Sequence, residues 1–143
     1  MERHFDTELS GLKQDVLKMG VMVEEAVFKA IESLKNLDGD AAKKVIADDK
    51  AVDEWELKID EECLELLALQ QPMAVDLRFI TMAMNITTDL ERMADLAVDM
   101  AQRVLELVSK PMLKHLIYIP KLTLIDQKMI KDVINAFINR YAF

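Results

Sequence analysis

Four acidic residues stand at helical spacing in two pairs, Asp49 with Asp53 and Glu91 with Asp95. Residues four apart lie one turn above each other on one helix face, so each pair offers two neighbouring carboxylates. Between the pairs, Gln70-Gln71-Pro72 interrupts an otherwise helical stretch from Asp48 to Ala101. If the chain folds back near residue 73, positions 49 and 53 fall opposite roughly 97 and 93. The pairs then meet at one height, to within about one turn, ~5.4 Å. Carboxylates brought together from two antiparallel helices can chelate a cation inside a bundle, as in di-iron proteins. Those sites also use a Glu-x-x-His pair, whereas His4 and His115 here lie far from the acids in sequence. An all-oxygen donor set suits hard cations such as iron, manganese, magnesium or calcium, and makes no case for a Cys/His zinc site. The competing reading is a solvated acidic edge, partly neutralised by Lys50, Lys58 and Arg92.

The elements that must position these acids are helices. Leu9, Leu12, Val16, Met19, Val23, Ala26, Ala30, Leu34 and Leu37 recur at steps of three or four and predict a first helix with one apolar seam. Gly11 and Gly20 interrupt it and suit places where a neighbouring helix comes close. Leu37-Asp38-Gly39-Asp40 reads as a stop, a glycine turn and an N-cap at Asp40. A second helix is expected over 41–69, with Val45, Val52, Ile59 and Leu66 repeating every seven residues and Asp49, Asp53, Glu56 and Asp60 edging that seam. Pro72 ends it, and Asp76 is a good N-cap for a third helix over 77–108. There Leu77, Ile80, Met84 and Val98 share a face with Glu91 and Asp95. Pro111 and Pro120 bracket a connection to a fourth amphipathic segment, with Leu122, Ile125, Met129, Val133, Phe137 and Tyr141 at helical spacing.

Composition bounds the rest. Only three glycines and three prolines in 143 residues leave little material for the turns of a sheet fold, so the chain is all-α. A net charge of −8 argues against nucleic acid or an anionic membrane as the main partner. No apolar run approaches the ~20 residues of a membrane span. The N-terminal MERHFDTELS lacks the apolar core of a signal peptide. The single Cys63 excludes an internal disulfide and reads as a small core residue, which places the chain in the cytoplasm. Met84, Met93 and Met100 read as core filler, and Trp55 as a core-edge packing residue.

The chain resembles the PhoU family of phosphate-signalling regulators. The resemblance rests on Asp48-Asp49 through Asp53, Gln70-Gln71-Pro72-Met73-Ala74-Val75-Asp76-Leu77-Arg78, Asp89-Leu90-Glu91-Arg92-Met93-Ala94-Asp95 and Met19-Gly20-Val21-Met22-Val23-Glu24-Glu25-Ala26, and covers roughly residues 5–138. It implies an antiparallel three-helix bundle, spectrin-repeat-like, over residues 1–110. Residues 111–143 correspond to the first helix of a second, truncated repeat, packing on the bundle or on another copy. It also implies a multinuclear metal cluster, iron or zinc first and manganese or magnesium as alternatives, held by Asp49, Asp53, Glu91 and Asp95 with Asp99 as a further candidate. Ala94 and Leu96 stand where the family commonly has Gly and His. The role implied is that of a non-enzymatic cytoplasmic negative regulator of phosphate uptake and phosphate-starvation signalling. Its partners would be the phosphate transporter ATPase subunit and a sensor histidine kinase, and a homodimer or larger assembly is expected.

Arg78 is a candidate partner-binding or anion-binding residue near a helix start, with a salt bridge to Asp76 or a nearby acid as the plainer role. Two other functions remain open on the residues alone: a metal-free helical interaction module, and a carboxylate-bridged metalloenzyme.

Overall fold

The computed structural model describes residues 4–69, 74–109, 128, 129, 131, 132, 135 and 136. Three long helices, α1 (His4–Asn36), α2 (Gly39–Leu69) and α3 (Ala74–Val108), pack against one another pairwise as an antiparallel bundle, and no strand occurs among the described residues. None of these helices is long and apolar enough to cross a membrane.

One core runs the length of the bundle. From α1 it takes Leu9, Leu12, Val16, Met19, Val23, Val27, Ala30 and Leu34, all buried. The seam passes through Val27 and leaves Ala26 only partly covered. From α2 it takes Val45, Val52, Ile59 and Leu66 in one column and Ala42 and Cys63 in the next. On α3 the buried stripe is Ile80, Ala83, Thr87, Leu90, Ala94, Ala97, Ala101 and Val104, alternating steps of three and four. Leu77, expected on this face, is exposed, and Met84 and Val98 only flank the stripe. Small residues at 83, 94, 97 and 101 let α3 approach its neighbours closely. The two buried hydroxyls do not disturb this interior: Ser33 Oγ donates to the Ala30 carbonyl at 2.6 Å and Thr87 Oγ1 to the Ala83 carbonyl at 2.7 Å.

The α1–α2 turn differs from the expected glycine turn. Leu37 takes the left-handed conformation, with φ 49°. The Leu37 N–H donates to the Leu34 carbonyl at 3.2 Å and the Asp38 N–H to the Ser33 carbonyl at 2.9 Å, the paired bonds of a Schellman ending. Asp38, not Asp40, caps α2: its Oδ1 accepts from the Ala41 N–H at 3.1 Å. Gly39 lies inside α2, where an added Cβ would stand 3.8 Å from Leu105 and Val108. Nor does α3 start beyond Asp76; it begins at Ala74, which places Asp76 in the first turn, where its charge complements the helix N-terminus. Gly11 meets no neighbour, since a Cβ there would find nothing within 4 Å, whereas Gly20 is buried. The fourth helix expected beyond residue 121 lies largely outside the described residues. The six residues described there are helical, and Lys131 Nζ pairs with Glu24 Oε1 of α1 at 3.3 Å, in contact with the bundle of its own chain.

Candidate metal centre

The heptad columns of α2 and α3 show why the acids gather. The column Ala42, Asp49, Glu56, Cys63 is fully buried at its apolar ends and carries half-buried acids at its two middle positions. The neighbouring column reads Ile46, Asp53, Asp60, Leu67, again apolar, acidic, acidic, apolar. Across the interface on α3, Met84, Glu91, Val98 and Leu105 form a half-buried column interrupted once, by Glu91. Three stripes that would otherwise close an apolar seam are thus replaced by carboxylates at one level of the bundle.

Asp53, Glu56 and Glu91 each place a carboxylate oxygen so that the three lie within 4.8 Å of one another. The electrostatics extend the group. Glu91 is pushed up to about 7, first by a hydrogen bond with the Asp95 carboxyl, then by burial and by the charges of Asp95, Glu56 and Asp53. Asp49 is raised by burial, then by Asp53 and Asp95. Glu56 is raised by burial, then by Asp60, Asp53, Asp95 and Asp49. Every charge acting on these three carboxyls is negative.

Of the four expected residues the structure thus brings Asp53 and Glu91 together and adds Glu56 to them, while Asp49 and Asp95 act on this group through their charges and, for Asp95, a bond to Glu91. Glu56 follows Asp49 by seven residues and Asp53 by three, so its position in the Asp49 column was readable from periodicity. It is not part of a four-apart pair with Asp49 or Asp53, and the pairing rule passed over it. Asp99, one turn beyond Asp95, is exposed and is not among the carboxylates that raise Asp49, Glu56 or Glu91. Arg78 is exposed and sits 13 residues before Glu91 on α3, about 20 Å along the axis. Of Lys50, Lys58 and Arg92, the three cations expected to neutralise the acids, Lys58 is engaged elsewhere: its Nζ lies 3.7 Å from Asp15 Oδ2 and 4.0 Å from Glu62 Oε1, on the α1 side of α2. Of the histidines, His4 pairs with Glu8 at 2.9 Å near the start of α1, and His115 lies outside the described residues.

This chemistry fits a hard cation. The donors are carboxylate oxygens from two helices, with Glu56 and Glu91 half-buried and Asp53 exposed, close enough to share an ion. Burial and the surrounding negative charges raise Asp49 and Glu56, and the bond to Asp95, burial and those charges raise Glu91, so each is favoured in its protonated form more than a free carboxyl is. Cys63, the nearest soft donor in the column, is fully buried and pushed up to about 12 by burial and by Asp60 and Glu62, so it is held as a thiol.

The family model described as the PhoU domain matches residues 16–104. A phosphate-specific transport system accessory protein PhoU homolog of Aquifex aeolicus is 38% identical over 133 residues, covering 93% of this chain and 60% of its own length. The phosphate-specific transport system accessory protein PhoU of Escherichia coli is 36% identical over 133 residues, covering 93% of this chain and 55% of its own. The crystal structure of PhoU from Pseudomonas aeruginosa matches with a TM-score of 0.90 at 32% identity, over 95% of this chain and 66% of that one. The chain spans 55 to 60% of the length of these two curated relatives.

Proposed function

The chain belongs to the PhoU family, and we propose that it acts as a metal-binding helical adaptor in phosphate uptake and its regulation. The observation that carries the metal part is the meeting of Asp53, Glu56 and Glu91 within 4.8 Å, amid charges that are all negative. Asp49, Asp53, Glu56, Glu91 and Asp95 would hold the cations. Iron or zinc are the leading candidates, manganese and magnesium the alternatives, and the oxygen-only donor set favours the harder ions. A bound cluster would supply the positive charge that the site lacks and join α2 to α3 by ligation.

The role is regulatory, not enzymatic. The relatives are accessory proteins of phosphate-specific transport systems by name, and that supports a cytoplasmic protein that restrains uptake and starvation signalling. In this reading its partners are the transporter ATPase subunit and a sensor histidine kinase, met by the outer faces of the bundle, and the chain works as a homodimer or larger assembly. Exposed Arg78, at the start of α3, is a candidate for the partner surface.

Elemental analysis of untagged protein, purified without chelator, tests the metal reading against an Asp49→Asn/Asp53→Asn/Glu91→Gln/Asp95→Asn control. Metal near or above one equivalent, lost in the control, is the expected result. Absence of metal from both proteins, with an equal or higher melting temperature in the control, would reduce the acids to a repelling edge and leave a metal-free interaction module.

A further inference from the structure

The α1–α2 interface carries a second group of charges, separate from the acids of the α2–α3 seam. Asp15 on α1 and Glu62 on α2 are half-buried and lie against one ammonium at the interface, and bonding to the Asp15 carboxyl is among the causes that raise Glu62. A hydrogen bond between two carboxyls requires one proton, since two carboxylates are both acceptors. Lys58 lies against both, 3.7 Å from Asp15 Oδ2 and 4.0 Å from Glu62 Oε1, so two acids share one ammonium. The same ammonium stands 4.3 Å from the centroid of the Trp55 ring, and Lys18 of α1 stands 4.4 Å from it. Trp55 in turn donates its indole N–H to the backbone carbonyl of Asp15 at 2.8 Å. The acid pair, the lysine and the tryptophan form one connected contact between the two helices.

We propose that a single proton shared between Asp15 and Glu62 latches α1 to α2, and that its loss loosens this interface around Trp55. With the proton in place, two acids and Lys58 balance to zero charge. Once it leaves, two carboxylates face each other in a half-buried contact, and Lys58 is drawn toward them and away from the indole. The groups that act on Glu62 are Asp15 from α1, and Lys58 and Glu65 from α2 itself. Burial, the bond to Asp15 and the charges of Asp15 and Glu65 push Glu62 up to about 7, against the opposing pull of Lys58. The latch therefore opens within the range of pH that a cell experiences.

Trp55 is the only tryptophan of the chain and reads the change directly. Emission of the 143-residue protein, followed from about pH 5 to about pH 9, should show a transition centred near neutrality. It should persist in Glu91→Gln, which removes the other described carboxyl raised to about 7, and vanish in Glu62→Gln, whose amide donates the bond permanently. Carboxyl ¹³C NMR of the wild-type protein gives a reading that needs no variant, with the Glu62 carbon assigned through its own side chain. Titration of that carbon near 7 supports the latch. Titration near the ordinary value of 4.5, or an emission transition unchanged in Glu62→Gln, overturns it.

Discussion

Glu56 of α2 and Glu91 of α3, 35 residues apart in sequence, bring carboxylate oxygens within 4.8 Å of each other and of Asp53 across the helix interface. Glu91 interrupts a column that is otherwise apolar, Glu56 shares the middle of its column with Asp49, and neither has a cation among the charges that shift it. Such a contact costs stability in the metal-free chain, and gains stability wherever a cation or a proton enters it.

Glu56→Gln is accordingly expected to weaken metal binding as much as Glu91→Gln does, by at least about tenfold in affinity, the scale on which even outer-shell partners of metal ligands act. Asp99→Asn, on an exposed position beyond the cluster, is expected to change it far less. Competition titrations against a chromophoric chelator measure all three. Equal losses in Asp99→Asn and Glu56→Gln would shift the centre of the site toward the α3 C-terminus.

The chelator-treated protein should lose stability as pH rises. Glu91 and Glu62 both have folded-state values raised to about 7 from the ordinary 4.5, so the folded chain holds protons that the unfolded chain has already released. Their contribution is fully present below about pH 4.5, and is lost as pH rises through about 7. Melting temperature should thus fall between about pH 5.5 and about 7.5. Glu91→Gln should flatten part of that slope and Glu62→Gln a further part. Added metal should reverse the trend, because its ligands must be deprotonated.

Gly11→Ala should stabilise the bundle. The position is helical and exposed, and a Cβ there meets nothing within 4 Å. The gain expected is ~0.5–1 kcal/mol, from the smaller entropy of the unfolded chain and the better helix propensity of alanine. Chemical denaturation measures it as a higher midpoint at unchanged slope.

Ala97→Leu should do the opposite. Ala97 is buried on the stripe where α3 meets its neighbours, with only 2% of its surface exposed. Three added carbons in that place force the helices apart at a cost of about 1–3 kcal/mol. Asp38→Ala, which removes the cap of α2 at an exposed turn, should cost ~1 kcal/mol. A larger loss at the exposed cap than in the core would contradict the tight α3 packing.

Periodicity alone determined the three helices, the heptad seam of α2, most of the seam of α1, and the level at which the acids of α2 and α3 meet. It could do so because a helix fixes the angle and the rise of every residue, and a hairpin fixes which levels face. Tertiary packing decided the rest. The rotation of α3 turns on which of two adjacent stripes is buried. The sequence offers larger side chains at Leu77, Met84 and Val98, yet close approach selects the alanine-rich stripe one position away. That choice sets Glu91 beside Glu56. It was packing between α1 and α2 that sent Lys58 to Asp15, Glu62 and Trp55 instead of to the acids, since a long side chain can reach either flank of its helix and only the neighbouring helix chooses. The turn followed the same logic. Asp38 can accept from α2 only when the chain reverses at Leu37, so the capping bonds of two helices, and not the local preference for glycine, placed the left-handed residue.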